Sequence, residues 1–599
     1  MLKFPYGISN FYRIQTNHYF YVDRSHHIRL LEEAGDQLLF LRPRRFGKSL
    51  LLSMLENYYD VAKAEEFDKL FGNLAIGQNP TEKHNQYFVM KWDFSMVRMS
   101  GNLTEIDQAL HDYINGCIEQ FQIYYQNRLN YQLTVDKNNA IRSFQSVLAA
   151  VSQTPYQLYL LIDEYDNFAN EVLMGRGETD PKYYNALLSA ESSLKSFFRT
   201  VKSACSGQGL ERVFITGATP VLMSDMTTAY NVAENIYLQP AFNELCGFRE
   251  SELASVVNQI VEECQLPPEK GQMALNLMQM FYNAYCFSER ASEGVYNPTL
   301  ALYFLKHFQQ DCQFPRQMLD SNLKLDLNKL SYLSRLPNGR AIIQQALEGS
   351  PPLAISFVAD RFGIDDMLKE TQSNQFIITL LYYLGVLTLD GETELKKLRF
   401  KIPNLVVRKL YVEHLLGNLL PKEVEREKAS LLAEDFYQTG DLQPICDLMT
   451  QRYFKVFDNR DYKTADELTI KTAFLTVLFD DAWYIMDSET ALERRYADLT
   501  MILRPDYRHL PLRNFLFEFK YLKFSDVKKS GAELKELSLS ELEALEAVKG
   551  KLAESEKQLL DYQTRLESKY SDGLKLQLIS VVAIGFERVV WKTVSRDLD

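Results

Sequence analysis

Along residues 1–246, short apolar runs alternate with stretches of helical period, the pattern of strands buried on both faces of a parallel sheet with helices between them. The runs at 37–41, 87–92, 158–162 and 212–216 predict four such strands. From 247 to 344 the period becomes helical, with Leu253, Val256, Val257, Ile260 and Val261 on one stripe and an aromatic-rich stretch over 281–308. This segment is expected to form a helical lid. In 345–451 a helix at 376–384 precedes two apolar runs, 386–389 and 398–402, separated by Asp390-Gly391, which predicts a winged-helix-like unit. Residues 452–599 form a last unit: a helix at 465–480, a hairpin over 498–522, a charged stretch at 523–551 that reads as a solvated helical insertion, and a strand at 576–586. The fold class is multidomain α/β.

Length fits that division, since a chain of 599 residues exceeds what one core supports and suits three to five domains. A formal charge of −13 argues against a protein that coats nucleic acid by electrostatics alone, and leaves room for a local basic groove. The first residues carry no leader-like pattern, and the longest apolar runs fall short of the ~20 residues of a membrane span. A soluble, cytoplasmic protein is expected. Its seven cysteines, Cys117, Cys205, Cys246, Cys264, Cys286, Cys312 and Cys446, are scattered singly and read as reduced thiols.

The first candidate chemistry is Arg42-Pro43-Arg44-Arg45-Phe46-Gly47-Lys48-Ser49, between an apolar strand and a helix. Strand, tight turn and helix N-terminus in that order aim backbone N–H groups at a phosphate. Gly-Lys-Ser supplies the rest: Gly47 for the turn, Lys48 for the β and γ phosphates, Ser49 for magnesium. Arg42 stands where the general pattern has glycine. The guanidinium groups of Arg42, Arg44 and Arg45 either add positive charge beside the phosphates or anchor on acidic neighbours. The strand at 158–162 ends in Asp163-Glu164, which assigns Asp163 to the metal and Glu164 to the attacking water. Thr216, at the end of the fourth strand, and Thr219 are candidates to touch the γ-phosphate, and Arg199, Arg212 and Arg249 are open candidates for an arginine finger. The expected ligands are ATP and Mg2+.

A second constellation lies in the last unit. Pairing the two runs of the 498–522 hairpin about Arg508 sets Asp498 opposite Glu518, and strand alternation gives Glu518 and Lys520 one face. Two carboxylates and an ammonium on one polar face suit Mg2+-dependent attack of water on a phosphodiester. Glu467 on the preceding helix, or Glu489, completes the metal shell, with Glu467 preferred.

With both sites in view, the chain resembles the AAA-ATPase-like proteins that carry a C-terminal PD-(D/E)XK nuclease domain. The resemblance rests on the Arg42 to Ser49 loop, Tyr21-Val22-Asp23-Arg24-Ser25, Leu161-Ile162-Asp163-Glu164-Tyr165-Asp166, Phe214-Ile215-Thr216-Gly217, Cys246-Gly247-Phe248, Tyr296-Asn297-Pro298, and Asp498 with Glu518-Phe519-Lys520. The family loop commonly reads Arg-Pro-Arg-Arg-Phe-Gly-Lys-Ser, so Arg42 is a family trait. The resemblance implies a P-loop NTPase core (1–246), a helical lid (247–344), a winged-helix-like unit (345–451) and a restriction-endonuclease-like domain (452–599). ATP binding falls to Arg42, Arg45, Gly47, Lys48, Ser49, Asp163 and Thr216, catalysis to Glu164, Asp498, Glu518 and Lys520, and metal to Ser49, Asp163, Glu467, Asp498 and Glu518. The expected function is an ATPase that gates a Mg2+-dependent nuclease acting on DNA. The alternative is a nucleotide switch that binds nucleic acid or a protein partner through the winged-helix-like unit, with the nuclease fold as an inactive scaffold. Either reading accommodates a homo-oligomer.

Overall fold

The computed structural model describes residues 1–98, 103–167, 194–220, 232–291, 293–319, 327–349, 351–360, 373–454, 467–487, 490–492, 495–569 and 574–595. The chain folds into two compact units, one of Met1–Pro315, Asn328–Ile342 and Leu353–Asn404, the other of Arg316–Leu327, Ile343–Pro352 and Leu405–Asp599.

The first unit is built on a five-stranded sheet of β1 (Gln37–Leu41), β2 (Tyr87–Asp93), β3 (Gln157–Asp163), β4 (Leu210–Gly217) and β5 (Glu234–Asn235), in the order β2-β3-β4-β1-β5. Every pairing is parallel. The four expected strands are present; β5 is two residues long, too short to leave a periodic signal. Parallel strands inside a sheet are covered on both faces, which explains why Leu158 to Ile162 and Val213 to Ile215 are buried without alternation. The carboxyl ends of β1, β4 and β3 lie side by side, the usual position for a ligand in an open α/β sheet.

Three helices follow, Glu250–Glu263, Pro268–Tyr282 and Pro298–Asp311, and the stripe read from the sequence is the buried one of the first. One expectation fails here: Cys264 and Cys312 are joined in a disulfide, while the other five cysteines are in none. Each of the pair caps the C-terminus of its helix, so helix packing joins residues 48 apart that no spacing motif connects.

The winged-helix-like hairpin is present. Strands β6 (Leu353–Ile355), β7 (Thr388–Glu392) and β8 (Leu398–Lys401) form an antiparallel sheet ordered β6-β8-β7, in the same unit as the helix Asn374–Tyr383. That helix is buried from Phe376 through Tyr383, because its sequence is apolar all round, and it has no polar face to lay in a nucleic-acid groove.

The second unit has a sheet ordered β15-β14-β13-β12-β9, comprising β9 (Tyr484–Asp487), β12 (Leu499–Leu503), β13 (Asn514–Leu522), β14 (Leu576–Ile584) and β15 (Arg588–Val594), plus a small hairpin of β10 (Thr490–Leu492) and β11 (Arg495–Ala497). The helix Glu467–Leu478 covers one face, with Phe474 against Phe519, and the helix Glu546–Lys569 covers the other, with Leu559, Tyr562 and Leu566 on Leu516 and Leu578. Residues 523–551 correct the expectation of a solvated insertion. Three short helices there each sink an anchor, Val527, Leu534 and Leu542, and Val548 adds a fourth, onto Val582, Ile584 and Val590. The apolar residues are too sparse to form a run, yet each is the inward point of its own turn. Among the described residues no helix is long and apolar enough to cross a membrane.

Leu559 is fully buried at the centre of the helix–sheet contact. Leu559→Ala is expected to destabilise the second unit by about 2–5 kcal/mol, read as faster amide exchange across β13 and β14.

Candidate functional sites

The octapeptide leaves β1 and enters the helix Lys48–Tyr59 through two left-handed residues, Arg45 (φ 68°) and Gly47 (φ 94°). At Gly47 that conformation calls for glycine. Lys48 Nζ donates to the carbonyl oxygens of Arg42 (2.9 Å) and Pro43 (3.3 Å) and lies 3.8 Å from Glu164 Oε1, so the ammonium spans the mouth of the loop. Asp163, at the end of β3, receives a hydroxyl on each oxygen: Ser49 Oγ on Oδ2 at 2.7 Å and Thr216 Oγ1 on Oδ1 at 2.6 Å. Lys48, Ser49, Asp163, Glu164 and Thr216 are thus one cluster drawn from three strand ends.

Arg42 is a correction. Its guanidinium does not face the cavity; it is 2% exposed and donates to the carbonyls of Leu41, Tyr237 and Phe242, between the rings of Phe40 (4.5 Å) and Phe287 (4.1 Å). Neither reading of this side chain, charge beside the phosphates or a carboxylate anchor, describes it. Burial brings its pKa down to about 10. Arg45, by contrast, lines the cavity. Of the finger candidates, Arg212 is buried in β4 and paired with Asp36, which rules it out; Arg249 is held by Glu244 and Glu252, and Arg199 is exposed. Thr219 is buried and donates to Asp166, which also accepts from the backbone N–H of Ala218 and Thr219.

A cavity of about 340 Å³ opens from Gly47, Lys48 and Ser49, with Glu164 in its wall. Sequence reasoning missed its far side, an apolar slot that includes Tyr6, Phe20, Val22, Phe248 and Leu302. The signal was present in Tyr21-Val22, Cys246-Gly247-Phe248 and Asn297-Pro298, stretches whose side chains carry no obvious catalytic group.

In the second unit Leu499 pairs with Phe517, Thr500 with Leu516 and Met501 with Phe515, a register that carries Asp498 opposite Glu518 as the spacing requires. Carboxylate oxygens of Glu467, Asp498 and Glu518 all lie within 4.8 Å of one another. Lys520 Nζ joins Glu518 Oε1 (2.9 Å) and Glu467 Oε1 (3.0 Å), and Asp498 Oδ2 accepts from the backbone N–H of Phe519 (2.8 Å). Glu489 lies outside the described residues. Ser580, the partner of Glu518 in the β13–β14 register, has a buried hydroxyl without a hydrogen-bond partner, and Glu518 Oε2 is likewise unpartnered. On the helix Glu546–Lys569, which packs on both strands, Ser555 Oγ and Gln558 Oε1 are in the same condition.

Two family models match the chain over these same regions. Residues 5–227 match the AAA-ATPase-like family, described as a predicted AAA-ATPase, and residues 465–592 match the PD-(D/E)XK nuclease superfamily. The first unit thus carries an AAA-ATPase-like domain and the second a PD-(D/E)XK nuclease-superfamily domain. An uncharacterized protein in the vnfD 5' region of Azotobacter chroococcum mcd 1 is 23% identical over 547 residues, covering 89% of this chain and 92% of that protein. Among solved structures the Aeropyrum pernix ORC1 protein, in complex with DNA, is similar over 66% of this chain and 93% of its own, at 11% identity and a TM-score of 0.24, a likeness too slight to bear on function.

Both domains offer oxygen donors suited to a hard divalent cation. The AAA-ATPase-like domain has one carboxylate and one hydroxyl at Asp163 and Ser49, as expected where nucleotide phosphates fill the remaining positions, and the nuclease-superfamily domain has three carboxylates. In the latter, burial first and then the neighbouring Asp498 push Glu518 up to about 8. Burial likewise raises Glu164.

Because the folded protein holds the Glu518 proton more tightly than the unfolded chain, the Glu518 contribution to metal-free stability is fully present below the unfolded value and is lost as pH rises to about 8. Glu518→Gln is expected to flatten that decline in melting curves recorded in EDTA. Bound divalent cation is expected to reverse it, and cation affinity, read by titration calorimetry, to increase with pH up to about 8 as the competing proton leaves.

Proposed function

We propose that the first unit binds and hydrolyses ATP and that its nucleotide state gates a Mg2+-dependent nuclease in the second unit, with DNA as substrate. The observation that carries the reading is the convergence of Glu467, Asp498 and Glu518 with Lys520 on one sheet, in a chain whose other sheet brings Lys48, Ser49, Asp163 and Glu164 together.

In the ATPase site Lys48 exchanges its two loop carbonyls for phosphate oxygens, and the loop N–H groups take the remaining charge. Ser49 and Asp163 would hold Mg2+, and Thr216 fixes the Asp163 carboxylate through its other oxygen. Glu164, raised by burial and 18% exposed at the cavity wall, orients a water for attack on the γ-phosphate. The apolar slot around Phe20, Val22 and Phe248 receives the base.

In the nuclease site Glu467, Asp498 and Glu518 would hold Mg2+, which would supply Lewis-acid activation of the attacking water and charge neutralisation at the phosphodiester. Lys520 then turns from its carboxylate partners toward the phosphate, where an ammonium stabilises the developing charge. An inactive scaffold is the weaker reading. Three clustered carboxylates, one with a buried unpartnered oxygen, cost stability that a scaffold has no reason to bear.

Purified protein is expected to cleave DNA with Mg2+ or Mn2+, with a rate that depends on added ATP. Lys520→Ala should abolish cleavage and leave phosphate release from ATP intact, whereas Glu164→Gln should bind ATP and lose turnover. Cleavage that survives Lys520→Ala would overturn the nuclease assignment.

A further inference from the structure

The octapeptide differs from a glycine-rich phosphate loop at residues with bulk, and three of these, Arg42, Pro43 and Phe46, share one set of neighbours. Arg42 lies on the ring of Phe287 at 4.1 Å. Phe46 meets Tyr285 and Phe287 edge to face, at centroid distances of 4.9 and 5.2 Å. Pro43 faces Gly385, in the turn between the helix Asn374–Tyr383 and β7; a Cβ added there would lie 2.7 Å from Pro43 Cβ and 2.8 Å from its Cγ.

The 285–287 segment is in turn fastened to the winged-helix-like module. Thr388 Oγ1 accepts from Cys286 N–H (2.7 Å) and donates to Cys286 O (3.3 Å), and the Tyr382 hydroxyl donates to Phe287 O (3.3 Å). Tyr383 packs on Tyr237, whose carbonyl accepts from Arg42. All of these residues belong to the first unit. Arg42 and Pro43 supply the carbonyls on which Lys48 rests, so the module bears directly on the residues that hold the ammonium.

We propose that the helix–turn–hairpin module of residues 373–404 sets the geometry of the phosphate loop, with Gly385 and Phe287 as positioning residues for nucleotide binding. The proposal rests on the reading of the first unit as an ATP site. Gly385 leaves room for Pro43, and Phe287 supports the Arg42 side chain; the loop is held from outside where glycine-rich loops are shaped by their own backbone. By linkage, ATP binding tightens the module to the degree that the module favours binding.

The test is titration of the full chain with a fluorescent ATP analogue, alongside melting curves without nucleotide. Wild type and Lys48→Ala establish whether the nucleotide site exists. Gly385→Ala adds the methyl against Pro43 and is expected to weaken binding by about tenfold. Gly391→Ala is the control: its φ of 78° matches the 76° of Gly385, but the nearest atom to its added Cβ is an Arg399 side-chain nitrogen at 3.6 Å. It should lose stability comparably and bind as wild type. Gly385→Ala combined with Pro43→Gly is expected to recover affinity relative to Gly385→Ala, because both colliding atoms, Pro43 Cβ and Cγ, are gone. If Gly385→Ala does not fold, Phe287→Leu asks the same question from the other contact and should also weaken binding. Hydrogen exchange over 374–404 should slow when ATP is added. Wild-type affinity in Gly385→Ala or Phe287→Leu, or equal weakening in Gly391→Ala, overturns the proposal and spares the ATP reading. Failure of wild type to bind more tightly than Lys48→Ala removes both.

Discussion

A guanidinium buried without a carboxylate is the constraint on which the first unit depends. Taking Arg42 out of water is costly unless its donors are met; Nη1 and Nη2 are met by main-chain carbonyls of Leu41, Tyr237 and Phe242, while Nε is buried without a partner. The first carbonyl is that of the preceding residue at the end of β1 and the other two come from the chain beyond β5, so the first half of the phosphate loop is fixed to one distant stretch before any ligand arrives. The aromatic faces of Phe40 and Phe287 complete the enclosure. The rest of the loop, with the left-handed Arg45 and Gly47 and the first turn of the Lys48 helix, starts from a point that cannot drift.

The second unit solves an opposite problem. Its charges are kept together: three carboxylates face one ammonium, and the ammonium takes two of them. The remaining mismatch shows in Glu518, whose proton is held to about pH 8. Asp163, Glu164, Asp498, Glu518 and Lys520 stand on or beside strands packed from both faces, so their positions depend on sheet register and helix packing, whereas Lys48 and Ser49 follow the loop.

Much of this was legible from spacing. The register of β12 with β13 follows from counting inward from Asp498 and Glu518 to Arg508, because antiparallel pairing fixes the sum of partner numbers, and the observed pairs obey it. The four longer strands of the first sheet were legible because strands buried on both faces are written as continuous apolar runs. The features that escaped depend on partners distant in sequence. Leu534 and Leu542 look solvated when each is one leucine among charges; their burial depends on Val582 and Val590 in the sheet. The Arg42 side chain offered two destinations, phosphate or carboxylate, and took neither, because carbonyls carry no sequence signature. The slot of Tyr6, Phe20, Val22 and Phe248 is assembled from stretches more than 200 residues apart, and none of these residues bears a group that announces binding.

The Cys264–Cys312 bond closes a ring that takes in two of the three helices of the 250–311 segment and ends on the C-cap of the first. Packing holds such helices only while they are folded; a covalent ring also fixes how the chain is connected. A peptide bond severed anywhere between the two cysteines would leave the chain in one piece, with the sheet and the second unit still tethered. In this stretch continuity of the molecule is shared between the main chain and a sulfur bridge, and a break in either alone does not separate the two units.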